Sequence, residues 1–436
     1  MEVRSFKGGI YIPHYKNFSE KSPIKEASLP EEIIIPLSQH IGAPCEPLVK
    51  EGDKVKAGQK IGESDSFVSA PVHASLSGTV KSIEERTLPS GDMGKCIVID
   101  VDKEQEQIEF TDRDPDEMNE DEIFEAVKEA GIAGMGGAAF PTAVKIKPPK
   151  EVDSLILNGC ECEPFLTCDH RIMLEKAEEM LKGTQILKKF LGVEKAYICI
   201  ESNKMDAIKK LKEMNEDPDI VVVKTPTKYP QGSEKQLIKA LLDREVPPGG
   251  LPFDVGTLVQ NVGTVVAVYE AVRYSKPLIE RVVSVTGPNL PEPQNLMIKI
   301  GTPVGHVIED CGGLKETPAK VVVGGPMTGC AQDNLEVPVV KGTTGVTVLS
   351  PELAFSEPDY IDCVRCGKCV DQCPMLLYPN QLSIYCESSM YEEVEKWNVM
   401  DCVECGICAY TCPSKRPIVG FIQEGKEKVQ ALQAKR

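Results

Sequence analysis

The chain has 436 residues, and 67 acidic residues against 49 basic ones give a net charge of −18. That length supports roughly two to four domains, each able to bury its own core, and the acidic balance argues against nucleic acid as a partner while leaving acidic proteins free to dock on local basic patches. Residues 1–15 lack the apolar core of a signal peptide, no run reaches the length of a membrane span, and 17 cysteines without a leader point to a reducing cytoplasm.

Residues 1–30 are rich in Pro, Lys and Ser without periodicity, and are expected to form an extended arm. Short β segments fill 31–115, punctuated by turns at Gly52, Gly58, Gly62 and Gly78. The phrase V-x-x-G-D-x-V-x-x-G-Q-x-I-G…A-P-V-x-A-x-x-S-G-T-V within them resembles the barrel-sandwich fold of biotinyl and lipoyl carrier domains. The hairpin tip of those carriers needs a lysine, whereas this chain reads S-A-P-V-H-A-S, with His73. A structural domain without a prosthetic arm follows, with His73 a packed or surface histidine rather than a ligand. Residues 103–122 form an acidic linker.

The stretch 116–278 is expected to be an α/β domain. Ile123, Phe124 and Val127 mark one face of a helix ending at Gly131. Next come three glycines in four positions, Gly134, Gly136 and Gly137, which expose backbone N–H groups and permit close approach of a planar or anionic ligand. Apolar strands near 154–158, 196–202 and 219–226 then alternate with amphipathic helices, the pattern of a parallel, Rossmann-like sheet. Such sheets bind ligands beyond the carboxyl ends of their strands, which places Asn158 to Pro164 where a site belongs. Short strands and Gly-Pro turns over 279–350 predict a small β-rich domain.

The strongest signal lies in 351–423. Cys363, Cys366, Cys369 and Cys373 precede Pro374, and Cys402, Cys405, Cys408 and Cys412 precede Pro413. Each run is C-x-x-C-x-x-C-x-x-x-C-P, the spacing that holds [4Fe–4S] clusters in bacterial two-cluster ferredoxins. Three thiolates of a run take one cube and the fourth reaches the other. One cluster is therefore assigned to Cys363, Cys366, Cys369 and Cys412, the other to Cys402, Cys405, Cys408 and Cys373. Structural zinc is the competing reading, but zinc does not require this triple repeat. The spacer 375–401 is helix-compatible and favours a helical ferredoxin-type domain, and 424–436 is expected to be a short charged helix or a disordered tail.

Four stretches of the middle domain resemble the NADH-binding flavoprotein subunit of respiratory complex I. They are G-M-G-G-A-A-F-P-T-A-V-K (134–145), N-G-C-E-C-E-P (158–164), Y-P-Q-G-S-E (229–234) and Q-N-V-G-T (260–264), in that family's order. From S-F-K-G-G-I (5–10) to the second cysteine run, nearly the whole chain resembles the C subunit of the Rnf electron transport complexes, membrane-bound, ion-translocating ferredoxin:NAD oxidoreductases. The resemblance implies a β-grasp, soluble-ligand-binding-like domain over 279–350, non-covalent FMN, two [4Fe–4S] clusters and NAD(H) as substrate. It also implies integral-membrane and iron–sulfur partner subunits, ferredoxin as an indirect partner, and a peripheral place on the cytoplasmic face of the cell membrane. No catalytic acid or base is implied.

Residue by residue, Gly134, Gly136 and Gly137 would let FMN meet the backbone, and Lys145 would pair with flavin or nucleotide charge. Asn158, Glu161 and Cys162 would line the flavin pocket, with Gly232, Gln260 and Asn261 around phosphate and ribityl groups. Phe140 would stack on nicotinamide, and Glu163 and Glu234 would hydrogen-bond NADH. The chain departs from the flavoprotein motifs at Cys160 and Cys162, which replace aspartate and serine, at Ser233, which replaces glutamate, and at Gln260, which replaces asparagine. Two alternatives share these parts: a soluble flavin and iron–sulfur reductase serving a cobalamin enzyme or an amino-acid reductase, and a carrier with a degenerate flavin site. The S-F-K-G-G-I arm favours the membrane-complex reading over the first.

Overall fold

A computed structural model describes residues 3–318, 320–354 and 360–435. Ile24–Glu26 (β1) belongs to the N-terminal arm, which is extended but not loose. It pairs in parallel with a strand of the β-rich domain, Ile24 opposite Asn295, and along its length it touches three other parts of the chain. Arg4 N donates to Ala240 O, Gly9 N to Gln372 O, and Ile10 exchanges backbone hydrogen bonds with Tyr229.

Glu32–Pro36 (β2), Glu46–Pro47 (β3), Lys54–Val55 (β4), Lys60–Glu63 (β5), Val72–His73 (β6), Gly78–Thr87 (β7) and Met93–Val101 (β8) build two facing antiparallel sheets, ordered β2-β8-β7-β4 and β3-β5-β6. Ile33, Ile35, Ile61, Val72, Ile97 and Ile99 fill the space between them. The turns at Gly52 and Gly58 have φ of +87° and +85°, a region that costs an L side chain about 1 kcal/mol or more. His73 is packed, and burial together with the charges of Lys341 and Lys60 pushes its pKa down to about 3. The acidic linker is partly tied down: Ile108 and Phe110 lie against Gly58.

The middle domain contains Glu120–Glu129 (α1), Thr142–Ile146 (α2), Ser154–Gly159 (β9), Cys168–Glu175 (α3), Ala177–Leu191 (α4), Lys195–Glu201 (β10), Met205–Met214 (α5), Ile220–Thr225 (β11), Glu234–Leu242 (α6), Thr257–Asn261 (β12) and Val262–Tyr274 (α7). Asn119 caps α1 in a reciprocal capping box with Glu122. The strands form a parallel sheet ordered β11-β10-β9-β12. Its central strands are continuous apolar runs, Leu155–Leu157 and Ile198–Ile200, buried on both faces as parallel sheets require. From β9 the chain winds outward to β10 and β11, then returns to β9's other side as β12. The direction of winding therefore reverses between β9 and β12, which opens a crevice at their carboxyl ends.

Glu280–Thr286 (β13), Gln294–Lys299 (β14), Val304–Glu309 (α8), Lys320–Val323 (β15), Cys330–Gln332 (β16) and Gly345–Leu349 (β17) make the β-rich domain. With β1 they form one six-stranded mixed sheet, β1-β14-β13-β17-β15-β16. The C-terminal domain is helical among its described residues: Lys368–Asp371 (α9), Pro379–Glu387 (α10), Tyr391–Lys396 (α11), Ile407–Tyr410 (α12) and Ile418–Gln433 (α13). Leu382, Cys386, Val394, Ile418, Ile422 and Val429 form its core. From 424 on, where a short charged helix or a disordered tail is expected, the chain is helical and carries α13 on to Gln433, because Gly425 and Val429 pack inward at helical spacing.

Candidate functional site

The glycine loop lies against the switch point of the parallel sheet. Gly134 N donates to Phe140 O, which closes the loop, and residues 136–138 form its exposed tip. Met135 N donates to Thr264 Oγ1 at 2.9 Å, which ties the loop to the first turn of α7. A Cβ on Gly136 would lie 3.3 Å from Asn261 Cβ, whereas one on Gly137 would meet nothing within 4 Å. Asn261 stands in register beside Asn158 at the carboxyl ends of β12 and β9. Its Oδ1 accepts from Gly263 N and Thr264 N as the cap of α7, while its Nδ2 donates to Asp169 Oδ2 at 2.7 Å.

The facing wall comes from the loop after β9. Asn158 Nδ2 donates to Gly232 O at 2.7 Å, and Gly232 N donates to Cys162 Sγ at 3.4 Å. Gly134, Gly136, Asn158, Cys162, Gly232 and Asn261 thus meet around one crevice. Gln260 precedes Asn261 on β12, with Nε2 buried and without a hydrogen-bond partner among the described residues; the Gln231 amide also has none, and Glu161 Oε2 faces Lys16 Nζ, at 3.9 Å. The buried Gln260 Nε2 and the exposed backbone of the tip at Gly136 and Gly137 offer donors that suit a planar, phosphate-bearing group. Phe140 is half-buried beside this tip.

Three expected ligands have other partners. Lys145 and Glu234 pair with each other. Glu163, expected to hydrogen-bond NADH, is held from the β-rich domain. Its Oε2 accepts from Met327 N at 3.1 Å and its Oε1 from Thr328 Oγ1 at 2.6 Å, so both oxygens are engaged by the β-rich domain.

Two residues with no motif to flag them hold this wall in place. Lys16, from the arm, is buried, and its Nζ donates to the carbonyls of Glu161, Glu163 and Leu166. This holds a loop in which Glu161 has φ of +47° and Phe165 +70°. Burial pushes the Lys16 pKa down, and Glu161 opposes that shift. Lys204 is buried beside Glu201 and donates to Cys160 O at 2.7 Å. A positive-φ pair next to buried lysines leaves no local sequence pattern.

Asp169 sits beneath the crevice, accepting from Asn261, while Glu161 Oε1 accepts from its backbone N–H. Burial first, then the Glu161 charge, raises its pKa from 3.8 to about 7. Between those values the folded chain binds a proton that the unfolded chain has lost. Stability from this group is therefore full below about 4 and falls as pH rises toward 7. Asp169→Asn, which keeps an acceptor for Asn261, is expected to stabilise the protein at pH 8 by up to about 4 kcal/mol, and by less at pH 5. Thermal unfolding midpoints at the two pH values check this; equal shifts at both would refute it.

The eight motif cysteines line two separate cavities. Cys363, Cys366, Cys369 and Cys412 share one, and Cys402, Cys405, Cys408 and Cys373 share the other. The charges felt by Cys369 come from Cys412, Cys363 and Cys366, and those felt by Cys408 from Cys402, Cys405 and Cys373, the same division. Among the described residues no three such side chains converge closely enough for a single metal ion. Four thiols spread around a cavity suit a multi-atom cluster instead. The two cavities differ in setting. Cys366 is exposed, whereas Cys405 packs with Ile10, Ile12, Tyr229, Met327 and Ile407 where three domains meet.

A flavin-type crevice on a parallel α/β domain, joined to a helical domain with paired four-cysteine cavities, defines the class: an electron-transfer protein with flavin and iron–sulfur domains. Four family models match, the Nuo51 FMN-binding domain over 127–270, the RnfC barrel sandwich hybrid domain over 4–104, the SLBB domain over 282–331 and the 4Fe-4S dicluster domain over 357–413. The chain is 48% identical over 428 residues to the C subunit of the proton-translocating ferredoxin:NAD(+) oxidoreductase complex of Clostridium ljungdahlii, covering 97% of this chain and 93% of that one. It is 45% identical over 443 residues to the C subunit of the Na(+)-translocating complex of Acetobacterium woodii, covering 99% and 98%. NAD+-reducing [NiFe]-hydrogenase in its H2-reduced state shares the fold, with a TM-score of 0.53 and 20% identity over 73% of this chain and 64% of that one. The chain belongs to the RnfC family, the C subunits of ion-translocating ferredoxin:NAD(+) oxidoreductase complexes. Among the described residues no helix is long and apolar enough to cross a membrane.

Proposed function

We propose that this chain passes electrons between NAD(H) and the other subunits of a membrane-bound, ion-translocating ferredoxin:NAD oxidoreductase. Bound FMN would exchange two electrons with NAD(H) and single electrons with the [4Fe–4S] clusters. The residues of the chain hold these groups in place and in order. Gly134, Gly136 and Gly137 leave room for the flavin, Asn158, Glu161, Cys162 and Gly232 form its wall, and Gln260 and Asn261 direct donors at its phosphate side. Phe140 flanks the nicotinamide position, and the Lys145–Glu234 pair closes the rim.

The observation that carries the reading is the unequal setting of the two cysteine cavities. The one formed by Cys402, Cys405, Cys408 and Cys373 abuts the flavin domain through Tyr229, whose hydroxyl donates to Cys405 O at 2.8 Å. The one formed by Cys363, Cys366, Cys369 and Cys412 faces outward, beside exposed Ile361 and Val364. The order is therefore flavin, inner cluster, outer cluster, partner protein. The partners are integral-membrane and iron–sulfur subunits that hold the chain at the cytoplasmic face, with ferredoxin served indirectly. Helices α10 and α11, within 375–401, are the candidate docking face.

Protein purified without oxygen is expected to retain FMN and two clusters, and NADH is expected to bleach flavin and cluster absorbance together. An FMN-replete, cluster-replete protein that NADH leaves oxidised would overturn the reading. Flavin-free protein with intact clusters would instead support a carrier with a degenerate flavin site.

A further inference from the structure

We propose that Glu163 and Tyr229 form a buried pair that tunes the reduction potential of the inner cluster, with the loop Gly324–Gly329 of the β-rich domain as its clamp. The proposal rests on the electron path above and deepens it.

The pair is built where three domains meet. Glu163 leaves the flavin domain and points toward the loop that precedes β16, where Met327 N and Thr328 Oγ1 both donate to it. Its Oε1 also lies 3.5 Å from Tyr229 Oη, and that hydroxyl donates to Cys405 O at 2.8 Å. Both Met327 N and Thr328 Oγ1 donate to the carboxyl group. Burial pushes its pKa up, while Thr328, Met327 and Lys16 oppose the rise and favour the carboxylate. The tyrosine is buried, and its one hydroxyl proton is directed at Cys405 O.

The clamp is tight on both sides of a single residue. Met327 N holds Glu163, while Met327 O lies where a Cβ on Gly406 would fall, 2.5 Å away. A Cβ on Gly325 would run into Glu163 Oε2. Gly406 stands between Cys405 and Cys408, and its φ is +80°. The corresponding glycine of the first cysteine run, Gly367, has nothing within 4 Å of its Cβ position. Two runs of the same spacing thus receive different treatment: this loop meets the inner run at Gly406, while Gly367 of the outer run has open space around it.

Reduction adds negative charge to a cluster, so surrounding charges and hydrogen bonds set its potential. A donor to the carbonyl of a ligating cysteine favours the reduced form. A carboxylate behind that donor disfavours it, through its own charge and by drawing on the same hydroxyl. The two side chains therefore act with opposite sign on one cluster. This separates tuning from bracing, since loss of a mere brace would not move the potential in opposite directions.

The test is a potentiometric titration of the anaerobic holoprotein, mediated by dithionite and followed by electron paramagnetic resonance of both clusters. Tyr229→Phe keeps the packed ring and removes only the hydroxyl; it is expected to lower the midpoint of the inner cluster and leave the outer one in place. Glu163→Gln is expected to raise the inner midpoint. Unchanged midpoints in a cluster-replete Tyr229→Phe protein would overturn the proposal, as would shifts of the same sign in both variants. A KM for NADH raised about tenfold or more in Glu163→Gln, with both midpoints still, would return Glu163 to the nucleotide site. If Glu163→Gln fails to hold its clusters, Tyr229→Phe alone decides by the sign of its shift. Because dithionite bypasses NADH, the midpoints remain readable even if NADH fails to reduce the protein, which keeps failure of this proposal distinct from failure of the proposed function.

Discussion

Cys373→Ala is expected to abolish the cluster of the other cysteine run, not that of its own. Cys373 lines the inner cavity with Cys402, Cys405 and Cys408, whereas Cys412 lines the outer one with Cys363, Cys366 and Cys369. Each single substitution should therefore leave about half of the iron and sulfide. The consequences for electron flow differ. Without the inner cluster, NADH should still reduce FMN but should no longer reduce the surviving outer cluster on a turnover timescale. With Cys412→Ala the inner cluster should still be reduced, and transfer to the partner proteins should fail. Metal analysis with NADH-reduced electron paramagnetic resonance spectra of the two variants checks this. If Cys373→Ala spares the cluster of Cys402, Cys405 and Cys408, the exchange of fourth ligands is wrong. Cys369 of the outer set and Cys373 and Cys408 of the inner one also belong to the small core of this domain, so a stability loss accompanies either cluster loss.

Gly136→Leu is expected to empty the flavin crevice. The first added carbon would already lie 3.3 Å from Asn261 Cβ, which a slight shift accommodates, so Gly136→Ala should retain most of its FMN. A leucine has three further carbons to place at the loop tip. It must either enter the space reserved for the ligand or displace Asn261, which caps α7 and holds Asp169. Overpacking of this kind costs about 1–3 kcal/mol, and losing the cap about 1 kcal/mol more. FMN affinity should fall by about tenfold to a thousandfold, with the cluster content unchanged. Flavin content after gel filtration and a fluorescence titration with added FMN measure it. Full occupancy in Gly136→Leu would remove the loop from the site. By contrast, Gly137 has open space around its Cβ position but φ of +106°, so substitution there acts through backbone strain.

Motif residues that act through their own backbone or through fixed local spacing are legible in the chain. The glycines at 134, 136 and 137, Asn158 after its strand and Asn261 at a helix start are of this kind. Each owes its position to the nearest strand or helix end, and the parallel sheet brings those ends to one edge. Glu163 escapes such reasoning because it lies two residues from Glu161 in the same loop, and the loop's positive φ values turn the two carboxylates toward different neighbours. Glu161 faces Asp169 and Lys16, and Glu163 faces Thr328 and Met327. No periodicity in a seven-residue motif encodes that divergence.

By itself the sequence determined what this protein can hold. Ligand spacing within C-x-x-C-x-x-C-x-x-x-C-P is short-range geometry, so it survives any arrangement of the rest. Apolar strands alternating with helices likewise commit the middle of the chain to a parallel sheet with its site at the carboxyl edge. Tertiary structure alone decided which cysteine cavity packs against the flavin domain, because the two runs are equivalent until Tyr229 and Met327 meet the second of them. It also decided that Lys16 of the arm braces the flavin wall across 145 residues or more of chain, and that the final charged segment extends a packed helix. The physical reason is the same in each case. These outcomes depend on buried contacts between segments far apart in the chain, and local composition carries no record of which surface will cover which.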